Sequence, residues 1–100
     1  MSNNILVDYS MEFSVFIVNI CDGIKGKSAL TNQLLRSGTS IGANINEANY
    51  GQSRADFIAK MHIALKETAE TEYWIKLLYT SEYIDEKMGE SLLTDCLAIK

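Results

Sequence analysis

Few side chains in this chain are placed to do chemistry. Glu67-Thr-Ala-Glu70 puts two carboxylates three residues apart, on one face if the segment is helical. Paired carboxylates are the raw material of a di-metal site, but such a site on helices also needs Glu-x-x-His pairs facing inward. The chain has one histidine, His62, so the ligand set is short and no metal is expected. His62 lies at the margin of an apolar stripe and reads as a boundary residue rather than a general base. A Ser-His-Asp or Cys-His nucleophile would have to assemble around that single imidazole, without a supporting local motif. Cys21 and Cys96 are far apart in sequence, in neither metal-ligand nor redox spacing, and read as reduced, buried thiols. Gly38, Gly42 and Gly51 follow no strand and make no phosphate loop. No catalytic residue, cofactor or metal ligand is expected, and the chain reads as non-enzymatic.

A second constellation is structural in character. Ser37 to Glu47 reads SGTSIGANINE, with two glycines and small polar residues in the middle of a helical pattern. Between Ser28 and Tyr50 only Arg36 and Glu47 are charged, and at about 100° per residue they share a side with Ser40 and Asn44, away from Leu34, Ile41 and Ile45. Gly38 and Gly42 cost helix propensity, roughly 1 kcal/mol each. Close approach of another backbone is the physical return, because residues without bulk allow it. Further along, Ile63, Glu67, Glu70, Trp74 and Leu77 are spaced 4, 3, 4 and 3, a stripe in which apolar residues bracket two carboxylates. Left in solvent it would be an apolar patch of the kind partners cover. The expectation is that Arg36 and Asn44 meet Glu67, Glu70 or Glu47 in a partly buried polar network, within a subunit or across a subunit boundary. Arg36, Ser40, Asn44, Glu47, Glu67, Glu70 and Trp74 are its candidate members, and Gly38 and Gly42 the candidates for close helix packing.

Four helices must position these residues. Phe13, Phe16, Ile17, Ile20 and Ile24 recur at helical spacing, with Gly23 and Gly26 as a stop, so the first helix is expected from about Asp8 to Lys25. Ser28 is the expected N-cap of the second, which runs through Leu30, Leu34, Gly38, Ile41, Ile45 and Ala48 to Gly51. The third begins near Ser53, where Ser-Arg-Ala-Asp resembles a capping box. Its expected stripe is Phe57, Met61, Ala64, Leu65, Thr68, Ile75 and Tyr79. The pairs Asp56 with Lys60, Lys66 with Glu70 and Glu72 with Lys76 have ion-pair spacing. The last helix carries Met88, Leu92, Cys96 and Ile99, with its pattern still running at Lys100, as in a truncated helix. Short connections imply neighbouring antiparallel elements: an all-α, up-down-up-down four-helix bundle, one domain over residues 1–100.

Composition agrees. One hundred residues with 47% hydrophobic and 22% charged side chains and no proline describe a globular, helical chain. The apolar run FSVFIVNIC is too short to span a bilayer and has no basic segment before it, so a cytoplasmic protein is expected. The net charge is −4, with six basic against five acidic residues through Lys66 and three against eight thereafter. There is no run of Lys and Arg. Lys25, Lys27, Arg36, Arg54, Lys60 and Lys66 are the cations available to phosphates. Tyr73, Tyr79 and Tyr83 could stack on bases, but read better as core or interface aromatics.

The segment LLRSGTSIGANINEANYGQSRADFIAKMHIALKETAETEYWIKLL, Leu34 to Leu78, resembles the signature of the four-helix-bundle proteins encoded in intervening sequences of bacterial 23S ribosomal RNA genes. It is similar, more distantly, to the accessory variability protein of diversity-generating retroelements. The resemblance implies a homo-oligomeric ring of bundles, typically of five subunits, without known enzymatic activity. It also implies the alternative of a nucleic-acid-binding accessory protein acting on rRNA or a ribonucleoprotein. The retroelement relatives are strongly basic, and this acidic chain departs from them.

Overall fold

The computed structural model describes residues 2–99, with side chains from Ile5 onward. Four helices follow one another: α1 Ser2–Gly23, α2 Ser28–Asn49, α3 Arg54–Thr80 and α4 Glu86–Ile99, with no strand among the described residues. Neighbouring backbones join α1 to α2, α2 to α3, α3 to α4 and α4 back to α1, while the diagonal pairs α1–α3 and α2–α4 bring no Cα atoms within 8 Å of each other and meet only through core side chains. This is the expected antiparallel bundle. It measures 43 × 23 × 18 Å. No helix among the described residues is long and apolar enough to cross a membrane. Lys100 lies outside the described residues.

The core follows the apolar periodicity. Phe13 and Ile17 from α1 meet Leu34, Ile41 and Ile45 from α2, then Ala64, Ile75 and Leu78 from α3 and Leu92 and Cys96 from α4. Several boundaries differ from expectation. α1 starts at Ser2 rather than near Asp8 and stops at Gly23, and Gly26 turns the chain with a φ of +82°, a conformation open to glycine at little cost. Ser28 is the first residue of α2 and not its cap. Lys27 holds the N-cap position without a side-chain bond, and its carbonyl accepts from the Leu30 and Thr31 amides. Ser53 does cap α3, its hydroxyl accepting from Asp56 N at 3.1 Å. Asp85 caps α4 in the same way, accepting from Met88 N at 2.8 Å.

α4 has 14 residues against 27 in α3, so at 1.5 Å per residue it covers about half the length of its neighbour. This explains the largest departure on α3. Its buried face is Ala64, Thr68, Thr71, Ile75 and Leu78, whereas the expected members Phe57 and Leu65 are exposed. Two of the expected local ion pairs are replaced by contacts to α2. Lys60 bonds Glu47 at 2.8 Å, and Glu70 turns to Arg36.

Candidate functional site

The glycines lie in the α1–α2 seam. A methyl group at Gly38 would sit 3.0 Å from Ile17 Cγ2 and 3.1 Å from Cγ1, and one at Gly42 would sit 3.2 Å from Ser14 Oγ and 3.3 Å from the Ser10 carbonyl. The backbone of α2 therefore runs hard against α1, and the small residues Ser10 and Ser14 give it room. Both serines direct their hydroxyls to α1's own carbonyls, Val7 O and Ser10 O, at 2.9 Å. The seam is thus polar without leaving a buried donor unpaired.

On the opposite flank of α2, Arg36 reaches α3. Its Nη1 donates to Glu67 Oε1 at 3.3 Å, and its Nη2 meets Glu70 Oε2, which also accepts from Trp74 Nε1 at 2.9 Å. Gln33 steadies the guanidinium, with Oε1 accepting from Nε and Nη2 at 3.3 and 3.2 Å. Beneath it, the Thr71 and Ser37 hydroxyls bond at 3.0 Å, both buried. The α2–α3 seam is the most extensive in the bundle, and these bonds fix how the two helices are offset. Because the Arg36 side chain is 49% exposed, its pairs lie in screened surroundings and contribute no more than about 1 kcal/mol.

The structure brings together Arg36, Glu67, Glu70 and Trp74 within one chain. Asn44 does not join them: its amide bonds Ser40 O at 2.8 Å and Ser40 Oγ at 3.1 Å, one turn back on its own helix. Glu47, about three turns beyond Arg36 on α2, pairs with Lys60. The polar stripe of α2 is thus an outer margin of the α2–α3 seam, split into three separate contacts. Trp74 and Leu77 are half-buried at this seam and form no open patch with exposed Ile63.

Exposed apolar side chains lie elsewhere, on faces the sequence reading passed over. Met11, Val15 and Val18 line the outside of α1, and Ile58, Leu65 and Tyr73 the outside of α3. The signal for the first was present: FSVFIVNI is apolar around the whole helix, which in a small bundle means a face with no intramolecular partner. Between α1 and α4 runs an open groove of about 520 Å³, floored by Phe13 and Phe16 and edged by Tyr9, Glu12 and Asp95. Tyr9 donates to Asp95 at 3.2 Å, and desolvation, with the Asp95 carboxylate beside it, raises its pKa. Cys21 is half-buried, and burial raises its pKa likewise. Cys21 and Cys96 are both free.

The cations available to phosphate do not gather. Lys25 bonds the Asp22 carbonyl at 3.1 Å and Lys27 lies 5.6 Å from the Tyr83 ring centre, both at the end of the bundle holding the α1–α2 and α3–α4 connections. Arg54 opens α3 at the other end, Lys60 is paired with Glu47, and Lys66 is exposed on α3. Among the described residues, no group of three His, Cys, Asp or Glu side chains is arranged to hold a metal.

Comparison with known proteins fits this architecture. No curated protein matches. A crystal structure from Bacteroides thetaiotaomicron VPI-5482, of a protein with unknown function from the S23 ribosomal protein family, is similar with a TM-score of 0.92 and 50% sequence identity, covering 99% of this chain and 91% of that one. The sequence profile of the 23S rRNA-intervening sequence proteins matches residues 2–100. With the fold and nearly the whole length in agreement, the chain belongs to the 23S rRNA-intervening sequence protein family.

Proposed function

We propose that this protein is a non-enzymatic, self-assembling helical-bundle module of the cytoplasm, whose working form is a ring of identical subunits. The observation that carries this reading is the run of large apolar side chains on outward faces, Met11, Val15 and Val18 on α1 and Ile58, Leu65 and Tyr73 on α3. A bundle working alone carries Lys, Glu and Arg on such faces, and contiguous apolar patches on a soluble protein mark contact surfaces. Five subunits is the number that the family resemblance implies. The alternative, an accessory protein that binds rRNA or a ribonucleoprotein, has less support, because the cations are dispersed and four of them, Lys25, Lys27, Arg36 and Lys60, are engaged within the chain. Light scattering and native mass spectrometry test the reading. The expected mass is five times the 11.2 kDa of one chain, and a species of 11.2 kDa at every protein concentration would sink it.

A further inference from the structure

α1 and α3 stand diagonally across the bundle, with no Cα atoms within 8 Å of each other, so their outer sides face in opposite directions. These two sides carry matching apolar stripes with opposite charge. On α1, Met11, Val15 and Val18 are 62%, 52% and 47% exposed, spaced so that they stack along one line. Asp8 and Asp22 stand seven residues on either side of Val15, Glu12 flanks the stripe, and α1 contains no Lys or Arg. On α3, Ile58, Leu65 and Tyr73 are 44%, 44% and 59% exposed. The exposed charges beside them are Arg54, Lys66 and Lys76; Glu72 at the margin is half-buried and partnered. At 1.5 Å per residue the apolar stripe of α1, Met11 to Val18, is about 10 Å long and fits within the stripe of about 22 Å from Ile58 to Tyr73 on α3.

We propose that the outer stripe of α1 in one copy docks on the outer stripe of α3 in the next. This rests on the self-association reading above and assigns its surface. A symmetric contact of α1 on α1 would oppose carboxylates, and one of α3 on α3 would oppose ammonium and guanidinium groups, so like-charge repulsion selects the mixed pair. Because the two stripes lie on opposite sides of the subunit, the contact is heterologous. Each copy gives one face and receives the other, and the chain of contacts closes as a ring when the rotation per subunit allows.

The test reverses charge on each stripe. Asp8→Lys with Asp22→Lys, and separately Lys66→Glu with Lys76→Glu, should each raise the protein concentration at half-assembly by about 100-fold or more, while circular dichroism melts of the dissociated chains show the helices intact. All four changes in one chain restore complementarity and should restore the parent mass. If the parent assembles and the two reversals leave its mass unchanged, this surface is wrong while self-association stands. If the parent is monomeric at every concentration, self-association fails and this surface with it. If Lys66→Glu with Lys76→Glu keeps the assembly but loses retention of structured RNA at low salt, those lysines serve nucleic acid and the proposal is overturned.

Discussion

Gly38 shows how one hydrogen atom in place of a methyl sets the distance between two helices. Alanine there would recover roughly 1 kcal/mol of helix propensity. It would also drive a methyl to 3.0 Å from Ile17, a fully buried side chain whose β-branching leaves it little freedom to turn away. Overpacking of that kind costs about 1–3 kcal/mol, so Gly38→Ala should lose about 1 kcal/mol net and lower Tm by about 4–8 °C. At Gly42 the Ser14 hydroxyl at 3.2 Å can rotate, but the Ser10 carbonyl at 3.3 Å is helix backbone and cannot, so Gly42→Ala should also destabilise, by no more than about 1 kcal/mol net. Thermal melts of the two variants at one protein concentration provide the comparison. A rise in Tm for Gly38→Ala would mean that the seam can spread and that close approach does not explain the glycine. The polar residues teach a complementary lesson. The sequence placed Arg36 on the same side of α2 as Asn44 and Glu47, but which carboxylate each would meet depends on the offset between α2 and α3. That offset comes from packing of Ser37, Thr71 and their apolar neighbours, and no local pattern records it.

Among the elements, helix interiors were legible because apolar side chains recur at 3 and 4 residues wherever a helix has one buried face. Ends were less so. Ser53 works as a cap because its backbone is extended there, while Ser28, of equally suitable type, lies just inside α2. The expected core stripe of α3 failed at Phe57 and Leu65 because it assumed a neighbour along the entire helix, whereas α4 covers about half. The end of α3 also holds a measurable irregularity. Tyr83 N bonds Leu78 O at 2.8 Å and Glu82 N bonds Tyr79 O at 3.0 Å, the paired arrangement that closes a helix through a left-handed residue. That residue is Glu82, with φ +68°, where glycine is the usual occupant. A left-handed conformation costs a side-chain-bearing residue about 1–2 kcal/mol, and part of the relief is cancelled by the greater freedom of glycine in the unfolded chain. Glu82→Gly should therefore stabilise by about 0.5–1 kcal/mol, read as a higher midpoint in urea with an unchanged slope. A lower midpoint would show that the Glu82 side chain makes a contribution larger than its backbone strain.

For the whole molecule, the distribution of charge bears on nucleic-acid binding. Lys25 and Lys27 sit at one end of the bundle and Arg54 at the other, separated by the 22 residues of α2, or about 33 Å. At physiological ionic strength the Debye length is about 8 Å, so the fields of these groups do not merge into one basic patch within a subunit. Carboxylates stand between them and beside them: Glu47 holds Lys60, and Glu67 and Glu70 hold Arg36. A net charge of −4 repels a polyanion further. Affinity for RNA comes chiefly from phosphates neutralised and counterions released, and it strengthens as salt is lowered. The assembled protein should accordingly show no saturable retention of structured rRNA fragments in filter binding, even at 20 mM salt, about the condition that favours such binding most. Saturable retention that weakens with salt along a slope corresponding to several phosphate contacts would reverse the choice. It would require the ring to gather on one face the cations that a single subunit keeps apart.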